Sequence, residues 1–200
     1  MFQTVARPDA MQTRTIPLPQ YDRTTILLHW TTAVLVVLLW LSAQVIDFFP
    51  RGPAQVNMRS VHMSLGVLLA AALVYRVMWR NLAGARLPPA GHPSLARIAT
   101  MVHWILYALL IAEVLLGFLN AWVRGESFFN WFSITSFAPG DRALRRQING
   151  IHEIVANTIL VVGGIHAAAG LAHHYLWKDD VLRRMWPARI TRCAAPARGD

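Results

Sequence analysis

Cysteine is almost absent: the 200 residues contain one, Cys193, close to the C-terminal end. A lone cysteine makes no internal disulfide, so a disulfide-stapled fold, a thiolate zinc cluster and a CxxCH attachment site are all excluded. Charge is scarce too. Asp, Glu, Lys and Arg supply 14% of the chain, where a soluble domain carries about a quarter. The charge present leans one way, 19 basic against 10 acidic residues. Apolar residues make up 55%, which excludes a disordered chain, since low hydrophobicity is what disorder requires. What remains is a small membrane protein with a basic periphery. Its partner is expected to be the lipid bilayer, with no nucleic acid.

Residues 1–25 are polar and hold Arg7, Arg14, Arg23 and three prolines. No apolar stretch followed by a small-residue cleavage site is found there, so the first apolar run is expected to direct insertion itself. Four such runs follow. Ile26–Ile46 has no formal charge, Val61–Trp79 only Arg76, Ile98–Val123 only Glu113, and Ile148–Trp177 only Glu153. Crossing a hydrocarbon core of about 30 Å takes roughly 20 helical residues, and each run meets that length or comes close. A membrane β-barrel would show alternating segments of about 10 residues instead. The pattern predicts an all-α, integral membrane four-helix bundle over residues 26–177, between an N-terminal segment (1–25) and a basic tail (178–200). Proline and glycine punctuate all three connectors, as turns require. Thirteen Lys and Arg fall in the N-terminal segment, the second connector (with Arg76) and the tail, against six in the other two connectors. That bias predicts that both termini lie in the cytoplasm.

The eight histidines call for explanation. His29 opens the first span, His62 the second and His152 the fourth, which also holds His166, His173 and His174. Fourteen helical residues turn through about 1400°, so His152 and His166 share a stripe about 21 Å apart along the axis. His173 lies on that stripe too, about 32 Å from His152. With alternating helix direction, the pairs able to meet are His62 with His152 and His29 with His166. Each pair bridges two helices, the arrangement for bis-histidine ligation of two b-type haems in a bundle core. Depth counted from the helix ends would pair His29 with His173 instead, but face and iron spacing favour His166.

Gly163, Gly164, Ala167, Ala168, Ala169 and Gly170 surround His166, and Gly66 follows His62 by four residues. Small residues serve close helix packing and equally leave room for a flat macrocycle; both readings stand at this point. His103 is read as a packing histidine and His92, beside Pro93, as solvated. Zinc is weakly signalled, because "HEIVAN" from His152 lacks a second histidine four residues on.

The stretch "IHAAAGLAHHYLWKDDVLRRMW" (165–186), with "LLHW" in the first span, "VHMSLG" in the second and "GIHEIVAN" in the fourth, resembles the bacterial cytochrome b561 family. The likeness runs from about residue 20 to 187. It implies a four-helix, di-haem inner-membrane protein exchanging electrons with quinone, with axial ligands at His29, His62, His152 and His166. One branch of similar length and motif order has superoxide:ubiquinone oxidoreductase activity. The resemblance therefore implies two haem b as cofactors, ubiquinone as substrate, and superoxide or another electron donor. The alternative expectation is a haem-b anchor and relay subunit for a partner dehydrogenase or hydrogenase.

By resemblance and position His173 is the quinone-site candidate, helped by His174 or Arg76; histidine titrates near neutral pH, which suits proton delivery. Arg76 has a plainer alternative, pairing with a haem propionate or a lipid headgroup. Arg142, Arg145 and Arg146, ahead of His152, are candidates for steering an anion such as superoxide, or equally for solvated loop charges and propionate partners. Glu153 is the candidate for a contact to a ligand histidine, and Glu113 has no assigned role. Trp30, Trp40, Trp79, Trp104, Trp122 and Trp177 are read as an interfacial belt.

Overall fold

The computed structural model describes residues 20–85, 87–88 and 93–186. His92, Cys193 and the arginines Arg7 and Arg14 lie outside the described residues. Four helices, each long and apolar enough to cross a membrane, make up most of the molecule: α1 (Arg23–Val45), α2 (Pro53–Leu82), α3 (Pro93–Arg124) and α4 (Arg142–Tyr175). A short antiparallel pair, β1 (Ser127–Phe128) and β2 (Phe132–Ser133), lies between α3 and α4. The architecture is the expected all-α membrane bundle.

The helices outrun the apolar runs that announced them. At 1.5 Å per residue, the 34 residues of α4 extend about 51 Å, well beyond a 30 Å core. α4 starts at Arg142 rather than Ile148, where the Asp141 side chain accepts a hydrogen bond from the Leu144 amide. α2 starts at Pro53 rather than Val61. Pro53 marks a turn in a hydropathy reading, yet proline suits the first helical position, where its missing N–H costs nothing. Polar residues such as Gln55, Asn57 and Arg59 ride on turns projecting out of the hydrocarbon, so hydropathy alone could not see those turns as helix.

α1 lies along α2 and α3 along α4, while the two hairpins touch each other less. Between them a thin apolar layer of Leu69, Leu73, Leu110 and Ile159 draws on α2, α3 and α4, and Leu35, Val36 and Leu39 of α1 pack onto it. Most large apolar side chains instead face outward, as a lipid solvent requires; Leu27, Val74, Leu115, Val161 and Ile165 are each at least 60% exposed. Among the described residues, one side-chain hydrogen bond joins a helix of one hairpin directly to a helix of the other, from Trp40 Nε1 to Asn157 Oδ1 at 3.0 Å. Trp40 is therefore a cross-helix donor.

Two networks close the ends of the bundle. At one end, Ser60 of α2, fully buried, accepts a hydrogen bond from the Phe129 amide and donates to Val56, with a longer contact to the Ser127 carbonyl. This pins the β1–β2 hairpin over the start of α2. The turn entering it needs Gly125, whose φ is +65° and whose absent Cβ would lie 3.0 Å from the Ile134 carbonyl oxygen. At the other end, Asp22 caps α1. Its carboxylate accepts from the Thr25 amide and hydroxyl, the Trp79 indole and the Ala85 amide. Burial would push this carboxyl up, but those four donors outweigh it and hold it well below the usual carboxylate range. The Trp30 indole donates to the Met185 carbonyl, the Tyr21 amide to that of Arg184, and Arg184 to that of Pro88. Residues 178–186 of the expected tail thus dock onto the bundle.

Candidate functional site

Two pairs of imidazoles face one another inside the bundle, one at each end. At the end carrying the β-hairpin, His62 of α2 and His152 of α4 have ring centroids 6.4 Å apart and planes at 84°. At the opposite end, His29 of α1 and His166 of α4 have centroids 6.2 Å apart and planes at 69°. These are the two pairs that spacing on α4 selected. His173 is elsewhere: its Nδ1 binds the Asp179 carboxylate, and its ring lies 4.6 Å from Trp177. α1 begins three residues ahead of its apolar run, and the imidazole that His29 faces is that of His166.

The separations are informative. With metal–imidazole bonds of about 2 Å, and roughly 1 Å from ring nitrogen to ring centre, two axial imidazoles on one iron put their centroids about 6 Å apart. Both pairs meet that spacing. The space nearby also suits a flat macrocycle. A Cβ built on half-buried Gly66 or Gly163 meets nothing within 4 Å, so these glycines are not the close-packing points of a helix interface. That observation favours clearance over packing, and the residues present fit a haem at each end.

The surroundings of each ring differ. Ser42 Oγ lies 2.8 Å from His62 Nδ1 and donates its own hydrogen to the Leu39 carbonyl. Its lone pair is therefore what faces His62, so Nδ1 carries the proton and Nε2 is free to bind a metal. Glu113 of α3 places Oε1 3.1 Å from His152 Nδ1. The carboxylate beside His152 is thus Glu113, across the helix interface. Glu153, expected in that role, points into a surface basin. At the opposite end Arg76 Nη2 lies 3.1 Å from His29 Nδ1, with its guanidinium 5.4 Å from the Tyr107 ring centre. His103 of α3 is 5.0 Å from His166, closer than His29. It is part of this cluster, which its sequence position did not suggest. Among the described residues, no three His, Cys, Asp or Glu side chains are grouped closely enough to hold a metal ion by themselves.

Arg142, Arg145 and Arg146 line a cavity of about 660 Å³ with Arg59, Arg124, Glu126 and Glu153. Arg59 and Arg124 pair with Glu126 at 3.2 and 3.5 Å. The three arginines of α4 form no ion pair among the described residues. Arg76 and His173, the two quinone-site candidates, share no hydrogen bond; Arg76 is engaged with His29 and His173 with Asp179. Ser42, Glu113, Asp179 and the Arg59–Glu126–Arg124 group were missed in the sequence. Only Glu113 carried a signal, a carboxylate within an apolar span.

Fold and paired imidazoles define a class: a helical membrane protein built to hold b-type haem between its helices. The prokaryotic cytochrome b561 family model matches residues 20–188. A "probable superoxide oxidase CybB" of Yersinia pestis is 32% identical over 168 residues, covering 81% of this chain and 93% of the relative. "Cytochrome b561 homolog 1" of Escherichia coli K12 is 30% identical over 176 residues, 85% of this chain and 98% of the relative. A "cytochrome b562" of Cereibacter sphaeroides is 26% identical over 177 residues, covering 86% and 98%. The chain belongs to the prokaryotic cytochrome b561 family. It is a multi-pass haem protein of the bacterial inner membrane, of a kind that transfers electrons.

Proposed function

We propose that this protein is a di-haem b cytochrome that transfers electrons across the bilayer between superoxide, or another donor, and the quinone pool. The observation that carries the reading is the pair of imidazole separations, 6.4 and 6.2 Å, at two levels of one bundle. His62 and His152 would hold one haem, His29 and His166 the other. Haem b would supply a one-electron couple at each level, and with a histidine pair holding each one no position would be left for oxygen chemistry. The protein positions the couples and separates them with the Leu69–Leu73–Leu110–Ile159 layer.

The positive-inside bias assigns residues 1–25 and the tail from 178 to the cytoplasm, with 26–177 as the membrane domain. The basin lined by Arg142, Arg145 and Arg146 then faces outward, beside the His62–His152 level, where its excess positive charge draws in an anion such as superoxide. On the inner side, His173 is the residue proposed to meet ubiquinone, its Nδ1 oriented by Asp179 so that Nε2 remains for the quinone oxygen. Arg76, at the inner histidine pair, is the second candidate. The relative named for superoxide oxidation supports this choice of donor.

The test is a reduced-minus-oxidised optical spectrum of the purified protein with a haem-to-chain ratio, followed by superoxide-dependent reduction of ubiquinone. Two b haems per chain and activity are expected. A colourless protein would overturn the reading. Two haems without superoxide-dependent activity would leave a relay subunit, which should co-purify with its dehydrogenase or hydrogenase.

A further inference from the structure

We infer that Glu113 is the positioning residue of the outer histidine pair. Its carboxylate accepts a hydrogen bond from Nδ1–H of His152, turns Nε2 toward the iron, and holds the outer haem at a lower potential than a neutral partner would. This rests on the di-haem reading above.

A carboxylate within a membrane span is expensive and persists where something requires it. The Glu113 side chain is only 14% exposed, and its Oε2 is buried without a hydrogen-bond partner. His152 Nδ1, 3.1 Å from Oε1, is likewise buried and without an aligned hydrogen-bond partner. The two groups lie within reach of each other but are not aligned for a hydrogen bond, which a small rotation of the ring would complete. One turn along α3, Gly117 lies against the same ring: a Cβ there would be 3.4 Å from His152 Cε1. Glu113 and Gly117 thus present one face of α3 to one imidazole.

The chemistry follows from the tautomer. An imidazole that binds iron through Nε2 must carry its proton on Nδ1, and that N–H needs an acceptor. A carboxylate acceptor makes the ring a stronger donor to the metal. Its charge also favours the ferric over the ferrous state, most strongly where water is excluded. His62, on the other side of the same haem, has only the neutral hydroxyl of Ser42. Glu113 therefore makes the outer couple asymmetric, and no acidic side chain contacts an imidazole of the inner pair among the described residues.

The experiment is potentiometric titration of the purified full-length protein, wild type and E113Q, with electron paramagnetic resonance of the oxidised state. The outer haem is identified as the one missing from H62A. E113Q keeps an acceptor oxygen but removes the charge. Expected is an upward shift of the outer midpoint by about 59 mV, a tenfold change in the ratio of oxidised to reduced affinity, with the inner midpoint unmoved and two haems retained. E113L, which removes the acceptor as well, should alter the low-spin ferric signal of the outer haem or release that haem, and S42A should shift the midpoint less than E113Q. An unmoved outer midpoint in E113Q, or equal shifts of both haems, would overturn the inference while leaving the di-haem reading intact. Fewer than two haems in the wild type would overturn the reading itself, and the inference with it.

Discussion

The two ends of the bundle hold their histidines in opposite ways. At the hairpin end, acceptors face Nδ1: the Ser42 hydroxyl at His62 and the Glu113 carboxylate at His152. At the other end a donor faces His29, since Arg76 can only donate to Nδ1. His62 is set in the tautomer that leaves Nε2 open, whereas His29 beside Arg76 is set in the reverse one. For His29 to bind a metal through Nε2, the guanidinium must leave its Nδ1, and the Tyr107 ring beside it is a ready resting place. The pair at the hairpin end thus has acceptors beside both Nδ1 atoms, whereas the pair at the other end would need Arg76 to move before His29 could bind a metal through Nε2. The difference matches what each level faces in the proposed function: a small anion outside, a bulky quinone with protons to collect inside.

The comparison is broken most sharply by removing ligands. H62A or H152A should lower the haem-to-chain ratio from two to one by losing the outer haem, and H29A or H166A by losing the inner one. Retention of both haems in any of the four would refute the pairing. H103A serves as the control within the inner cluster: it should keep both haems, although its ring is the closest neighbour of His166.

A smaller effect is expected at the outer basin. The double charge reversal R145E/R146E should slow superoxide-dependent reduction about tenfold at low ionic strength and much less at high salt, with haem content unchanged, because steering by a local field is screened. A rate loss independent of salt would point to damage rather than steering.

The smallest concerns Asp22, at the end opposite the β-hairpin. D22N removes a charged cap and weakens four hydrogen bonds, so it should cost about 1 kcal/mol near neutral pH, seen as a lower melting temperature in detergent. The Asp22 carboxyl titrates lower in the folded protein than in the unfolded chain. Its contribution is therefore complete above about pH 4, the ordinary aspartate range, and fades as pH falls below it. The gap in melting temperature between wild type and D22N should narrow over that acidic interval; a gap constant with pH would refute the role.

The four spans and both histidine pairs were legible in the sequence because hydropathy and helical spacing are local properties. Fourteen residues on one helix set the stripe that His152 and His166 share, whatever the rest of the chain does. What escaped was set by residues distant in sequence. Glu113 touches His152 from another helix, so proximity along the chain pointed to Glu153 instead. Trp40 and Trp79 looked like belt residues because they sit near the ends of apolar runs, yet both donate to partners far along the chain, Asn157 and Asp22. The overhanging first turns of α2 and α4 escaped for a different reason: they are polar helix in water, which a search for apolar runs cannot register. Those turns bring Arg59 toward Arg142, Arg145 and Arg146, so the basin was legible as charges but not as a cavity.

The aliphatic layer of Leu69, Leu73, Leu110 and Ile159 works as an insulator as well as a spacer. None of these side chains can accept or relay a proton, so in the proposed function an electron passing between the two levels would travel without a proton beside it. Moving one elementary charge across a membrane at 100 mV involves about 2.3 kcal/mol. If the electron crosses between two haems as proposed, the voltage of the cell would speed or oppose turnover according to which way the electron runs.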